Sequence, residues 1–272
     1  MKTCLIKQPA GLGDIFYTQK IAKKILSAKK ADKIIWPIVD DFMYIKDYLI
    51  GQENIEYVKQ SEHLMEELVD SFTTQKNYIE IDLGDAQLVH QNIGAMLAKY
   101  KLVNLRDDDW LDYFDFKRNY KRENELFYDK LNLKDKSKYI LVNRHFGSPP
   151  NQLESPLMNI NVNMQLIEMD VLEDFNIFDW CKVLENAEQI HTVETVLGYI
   201  IEKLPKCRGL NMYPRWTPKD VGYKPYSYFY YNHIRKMFKR EWVYHNGFWH
   251  KAIQILRDGC FDFVKTEKKA EK

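Results

Sequence analysis

Two short stretches carry residue types that can do chemistry. The first is Gly11-Leu12-Gly13-Asp14, which follows the apolar run Cys4 to Ile6 and the pair Pro9-Ala10 and leads into a helical stretch over Ile15 to Ala28. Glycine permits backbone conformations that other residues resist and lets a ligand come close to the main chain. A helix that starts there offers unpaired N–H groups and the positive end of its dipole, a place that phosphates favour. Asp14 stands at the mouth of this turn, where its carboxylate either faces a cleft or caps the helix. The third glycine of a dinucleotide fingerprint is missing, and no Gly-Lys-Ser/Thr follows as it would in a P-loop. The second stretch is Ala187-Glu188-Gln189-Ile190-His191, a short strand that runs straight into Thr192-Val193-Glu194-Thr195 and a helix from Val196 to Leu204. Thr192 and Thr195 can cap that helix or receive a phosphate. Glu194 repels phosphate and accepts hydrogen bonds from ribose hydroxyls, or is simply an acidic residue in a first helical turn.

Between them lies a third polar cluster. The run Tyr139-Ile140-Leu141-Val142 ends in Asn143-Arg144-His145-Phe146-Gly147, at the carboxyl edge where ligands gather in parallel sheets. The guanidinium of Arg144 suits phosphate oxygens as a fork, or forms a surface ion pair. His145 beside it can donate to phosphate or serve as a structural histidine, and Arg215 offers a further positive charge.

These side chains need a scaffold. Strand-like segments at Lys33 to Ile38, Ile55 to Val58 and Tyr78 to Leu83 alternate with helical spacing at Ile15 to Ala28, Asp41 to Leu49 and Gln87 to Tyr100. That alternation predicts an open, mainly parallel α/β sheet. From Arg118 to Lys138 the composition turns to Lys, Arg, Asn and Glu around one helical segment, Glu123 to Leu131. The expected organisation is therefore a first domain over 1–117, a linker helix over 118–137 and a second domain over 138–272. The second block continues with a strand over Asn161 to Glu168, a helix over Phe178 to Leu184, a strand at Leu210 to Tyr213, and helices at Asn232 to Phe238 and Phe248 to Asp258.

Composition narrows the function. With 45% hydrophobic residues the 272-residue chain can build a substantial core. Forty basic residues against 39 acidic ones leave a net charge of +1, which gives no electrostatic footprint for nucleic acid. Cys4, Cys181, Cys207 and Cys260 are scattered without metal spacing and read as reduced thiols packed as small hydrophobes in a cytoplasmic protein. No apolar run approaches the ~18–20 residues of a membrane span, so a transmembrane segment is not expected, and peripheral contact with a membrane face stays open. No metal is expected either. Asp107-Asp108-Asp109 cannot all face one way and reads as a solvated run, and His245 and His250 have no partner ligand at matching spacing.

Taken together, the pattern resembles a GT-B glycosyltransferase, most of all the heptosyltransferase-like family. The resemblance rests on Gly11-Leu12-Gly13-Asp14-Ile15, on Tyr78-Ile79-Glu80-Ile81-Asp82-Leu83, and on Ala187 to Thr195 with the helix after it, in that order. It implies two Rossmann-like domains facing each other across a cleft, and transfer of a sugar from a nucleotide-activated donor to a glycan or other hydroxyl acceptor. Transfer would be inverting and need no metal or other cofactor. It implies Asp14 as the base and the carboxyl edge of the first sheet as the acceptor side, where Asp82 and Asp85 can hold hydroxyls or be ordinary loop carboxylates. The donor nucleotide would meet Gly11, Gly13, Asn143, Arg144, His145, Thr192, Glu194 and Thr195. The late turn here reads Thr-Val-Glu-Thr where the family has an Asp-Ser/Thr-Gly type sequence and a later histidine. That departure motivates a second reading, a non-catalytic binding or assembly protein that keeps the fold. A third is another phosphate-handling α/β enzyme, such as a nucleotide-sugar epimerase or a hydrolase.

Overall fold

The structure, a computed structural model, describes residues 1–8, 11–61, 78–84, 86, 95–144, 160, 164–170, 172–213 and 234–245. Two parallel sheets organise it, as the alternation of strands and helices predicts. In the first, β1 (Thr3–Lys7), β2 (Lys33–Ile38), β3 (Ile55–Lys59) and β4 (Tyr78–Asp82) lie in the order β3-β2-β1-β4. Side chains alternate across the sheet with period two. Cys4, Ile6, Ile34, Trp36, Ile38, Ile55 and Tyr57 are buried in the core on one face. Ion pairs Lys7–Glu80 and Lys33–Glu56 form from the alternate positions of the same strands.

Two helices follow β1, α1 (Leu12–Tyr17) and α2 (Gln19–Ser27), where the spacing predicts one. The break is Thr18, whose hydroxyl donates to the Asp14 carbonyl at 2.7 Å. A β-branched hydroxyl residue bonded back to the carbonyl four residues earlier competes with the helix ladder and bends it. A 3₁₀ turn over Asp40–Asp47 takes the place of the expected short helix. Helix α3 (Ala95–Leu102) forms the end of the helix expected from Gln87, whose residues 87–94 lie outside the described ones.

After α3 the Asp107–Asp109 run is half exposed to exposed, as a solvated run is, and two of its carboxylates also make long-range contacts. Asp107 accepts from the Tyr17 hydroxyl at 2.6 Å, and Asp109 pairs with the buried Lys20. Lys20 also donates to the Arg106 carbonyl at 2.5 Å, so this loop is tied to α1 and α2. The stretch between the two sheets holds α4 (Tyr120–Asn124), which runs directly into a π-helical turn over Glu125–Lys130. Its Glu123 is fully buried against Arg118, which also reaches Glu185 at 2.9 Å.

The second sheet comprises β5 (Tyr139–Asn143), β6 (Gln165–Glu168), β7 (Gln189–Val193), β8 (Leu210–Tyr213) and β9 (Trp242–Tyr244), in the order β6-β5-β7-β8-β9. Every pair is parallel. β5 is buried along its whole length, with Tyr139 and Leu141 in the main core and Ile140 and Val142 in a smaller cluster. A strand buried on both faces shows as an unbroken apolar run. Helices α5 (Cys181–Asn186) and α6 (Val196–Lys203) belong to this half. β9 is three residues of Trp-Val-Tyr after a charged stretch, too short to stand out in the sequence.

One apolar cluster runs through both halves. Phe16 of α1 stacks on Phe114 at 4.6 Å between centroids and lies 5.7 Å from Phe178. Tyr48 stacks on Phe178 at 4.6 Å, and Trp110 meets Tyr199 of α6 edge-on at 5.2 Å. Three cysteines, Cys4, Cys181 and Cys207, are free and buried, and burial pushes the thiols of Cys4 and Cys207 up to about 12. They pack as hydrophobes; Cys260 lies outside the described residues.

α6 is seated through a glycine. A Cβ on Gly198 would stand 2.5 Å from one ring carbon of Phe238 and 2.7 Å from another. Phe238 is itself buried, so the ring has little room to retreat. Gly198→Ala is expected to lose about 1–3 kcal/mol through overpacking. Urea unfolding checks this, and an unchanged midpoint would show that the ring moves freely.

Candidate functional site

The first turn is shaped by Gly11, whose φ of 80° lies in the left-handed region that glycine adopts without strain. A Cβ there would also stand 2.3 Å from Oδ2 of Asp14, so the carboxylate folds back over the glycine. Gly11 is the N-cap of α1 and no side chain caps the helix. Asp14 is therefore not the helix cap. Its Oδ1 pairs with Nζ of Lys99 from α3. The Lys99 side chain is 5% exposed and that of Asp14 29%, so a buried ammonium aims a carboxylate that solvent can still reach. Lys99 was not among the residues picked from the sequence. A signal was there, because it interrupts the apolar stretch Met96-Leu97-Ala98 and Tyr100, where a lysine needs an anionic partner.

The second turn is a closed hydrogen-bond set. The side-chain amide of Asn143, at the end of β5, donates to the Thr192 hydroxyl at 3.0 Å and to the Thr195 hydroxyl at 3.3 Å. Thr192 is fully buried and donates its own hydroxyl to the Val193 carbonyl. Thr195 caps α6, accepting from the Leu197 N–H at 3.3 Å. The Glu194 side chain is buried too, and its backbone N–H donates to the Tyr213 carbonyl at 3.0 Å. Asn143, Thr192 and Thr195 are thus brought together, and their first task is to fix the start of α6. Arg144 pairs with Glu168 of β6 at 3.4 Å and is mostly buried.

The two turns meet because α1 packs on α6. A Cβ on Gly13 would lie 3.1 Å from Cε2 of Tyr199, one turn into α6. The Asp14 carboxylate and the capped start of α6 therefore sit on touching helices. Asp82 ends β4 opposite Lys7 of β1 in the strand register. Asp85, His145, Arg215 and His250 lie outside the described residues. Among the described residues no group of three or more His, Cys, Asp or Glu could hold a metal ion. None of the helices searched among those residues is long and apolar enough to cross a membrane.

No family model matches the sequence, and no curated protein matches it. Solved structures do resemble it in backbone shape. A glycosyl transferase of family 9 from Veillonella parvula DSM 2008 aligns over 78% of this chain and 79% of its own, at 11% identity and a TM-score of 0.47. The iron-containing dodecameric glycosyltransferase TibC from enterotoxigenic E. coli H10407 aligns over 80% of this chain and 61% of its own, at 10% identity and 0.44. The E. coli heptosyltransferase WaaC, solved with ADP, aligns over 81% and 88%, at 12% identity and 0.39.

The face of the second sheet that carries the smaller cluster of Ile140, Val142, Val193 and Tyr213 also holds a histidine–tyrosine stack. Nδ1 of His191 lies 2.9 Å from the Tyr213 hydroxyl and Nε2 lies 3.1 Å from Oε1 of Gln189. The ring of His245 stacks flat on Tyr213 at 4.1 Å. A neutral imidazole with its proton on Nε2 satisfies both contacts, donating to Gln189 and accepting from Tyr213. Burial lowers the His191 pKa to about 4, with His245 and Arg144 adding to the effect.

Two predictions follow from these contacts. Between pH 6.5 and about 4 the unfolded chain binds a proton at His191 that the folded one refuses, so this stabilisation is full above 6.5 and is lost as pH falls toward 4. The loss is at most about 3 kcal/mol. His191→Gln should flatten that part of the profile of urea midpoints taken from pH 7.5 to 4.5, and a profile identical to wild type would exclude His191 as its source. At the first turn, Gly11→Ala should cost about 1–2 kcal/mol for the left-handed backbone, plus the clash with the carboxylate. In an Asp14→Ala background the same change should cost less, since only the backbone part remains. Equal costs in both backgrounds would mean that the Asp14 carboxylate does not rest on Gly11.

Proposed function

We propose that the protein is a glycosyltransferase that moves a sugar from a nucleotide-activated donor to a hydroxyl of a glycan or glycoconjugate, with inversion and without a metal. The observation that carries this reading is the placement of Asp14. Its carboxylate is released from capping, held by the buried Lys99, and set on a helix that packs against the helix beginning at Thr195. In the proposed reaction Asp14 accepts the proton of the acceptor hydroxyl as that oxygen attacks the anomeric carbon. The sugar–phosphate bond breaks, and the leaving nucleoside diphosphate gathers negative charge. N–H groups at the start of α6 and the guanidinium of Arg144, turned from Glu168, would stabilise that charge. Lys99 keeps Asp14 aimed.

A second reading has its own support. Asn143, Thr192 and Thr195 already satisfy one another, and Arg144 already has a carboxylate partner. A protein that only binds a sugar nucleotide, or that retains the architecture for assembly, needs nothing more from these residues.

A thermal-shift screen against UDP-, GDP-, ADP-, CMP- and dTDP-linked sugars, followed by transfer assays with the ligand that responds, separates the two. A ligand that binds only the folded chain raises its apparent stability by mass action. The catalytic reading expects a shift with one nucleotide family, weakened in Arg144→Ala, and transfer that falls by roughly 10²–10⁴ in Asp14→Ala while the shift persists. Binding without transfer to any acceptor would favour the second reading. Undiminished transfer in Asp14→Ala would remove Asp14 as the base.

A further inference from the structure

The helix-covered face of the first sheet is closed unevenly. Cys4 and Ile6 of β1 are fully buried there. Their register partners on β4, Ile79 and Ile81, occupy the same face and are only partly buried. Among the described residues β4 pairs with β1 alone, so it forms the edge of the sheet. Beside it lies a cavity of about 720 Å³. Ile79 and Ile81 form its floor, and Ile25 of α2 with Leu102, Val103 and Leu105 at the end of α3 forms its walls. That volume falls within the roughly 300–1,000 Å³ that small-molecule sites occupy.

Two lysines and two carboxylates border it, on separate elements. Lys24 and Lys30, near the end of α2, border the cavity. Lys24 lies over the ring of Tyr113 at 5.2 Å, and Lys30 is exposed. Glu80 and Asp82 border it as well, but both alternate with the floor residues Ile79 and Ile81 along β4. The Glu80 carboxylate is drawn to Lys7 by an ion pair. The cavity thus has an apolar interior, with Lys30 exposed at one side and Lys24 beside it sharing its ammonium with the Tyr113 hydroxyl. We propose that it binds an anionic amphiphile, the apolar chain lying over Ile79 and Ile81 and the carboxylate or phosphate-ester head meeting Lys24 and Lys30. Gly11, Asp14, Lys99 and Thr195 do not border the cavity, so the inference stands apart from the catalytic reading.

The test is isothermal titration of the full chain with dodecanoate and with dodecyl phosphate, both below their micelle-forming concentrations, and with dodecyltrimethylammonium as the cationic control. Saturable one-to-one binding of at least one anion is expected, with the control at least about tenfold weaker. Binding of both anions assigns a general anionic head, and binding of dodecyl phosphate alone assigns a phosphate ester. Lys30→Glu with Lys24→Gln should weaken the anion by roughly tenfold or more. Ala28→Trp, made at an exposed position on the rim, should abolish binding while the circular dichroism and urea midpoint hold. Failure of both anions to saturate would overturn the proposal. Equal binding of the cation, or full binding by Ala28→Trp, would also overturn it.

Discussion

The contact on which the rest of the structure depends is the one between α1 and α6. Gly13 gives α1 a surface without a side chain, and the ring of Tyr199 lies against it at a distance that a Cβ would crowd. Around that contact the aromatic rings of both halves interlock: Phe16 with Phe114 and Phe178, Tyr48 with Phe178, and Trp110 with Tyr199 and Phe238. Such rings bury large areas and hold offset or edge-on geometries that add to the burial itself. The two sheets are joined here by one core and not merely by a linker.

Polar contacts sharpen the same junction. Asp179 is fully buried and accepts from Tyr48 of the first half, from Arg122 of α4 and from the backbone N–H of Asn176. A buried carboxylate is tolerated only when its oxygens are satisfied, so these three partners hold one another in place. Arg118 does the same between Glu123 and Glu185. The stretch from Arg118 onward is highly charged because it latches both sides of the junction, and composition alone shows only its polarity.

Much of the architecture was legible in the sequence because several strands are short apolar runs: β1, β2, β4, β5 and β8 stand where those runs predict them. β7, expected over Ala187 to His191, runs from Gln189 to Val193, so Thr192 lies within the strand and not in the turn. What escaped reading was set by long-range partners. The break at Thr18 depends on a hydroxyl choosing a carbonyl four residues back. The anchoring of Asp107 and Asp109 was hidden because their partners, Tyr17 and Lys20, lie some ninety positions earlier. The site divides the same way. Asp14 and Thr195 stood out from their turns. Lys99 is visible only once α3 is laid beside α1, and the role of Asn143 in tying Thr192 to Thr195 needs two neighbouring strands.

The stacking of Phe16 and Tyr48 on Phe178 has a consequence for how the chain is made. Synthesis runs from the N-terminus, and domains commonly fold as they emerge. Here the first sheet and its helices are complete in sequence long before Phe178 and Tyr199 exist. Until those rings arrive, Phe16, Tyr48 and Trp110 have only their partners within the first half and lack part of their cover. The nascent first half is thus left with an aromatic flank that only the second half completes.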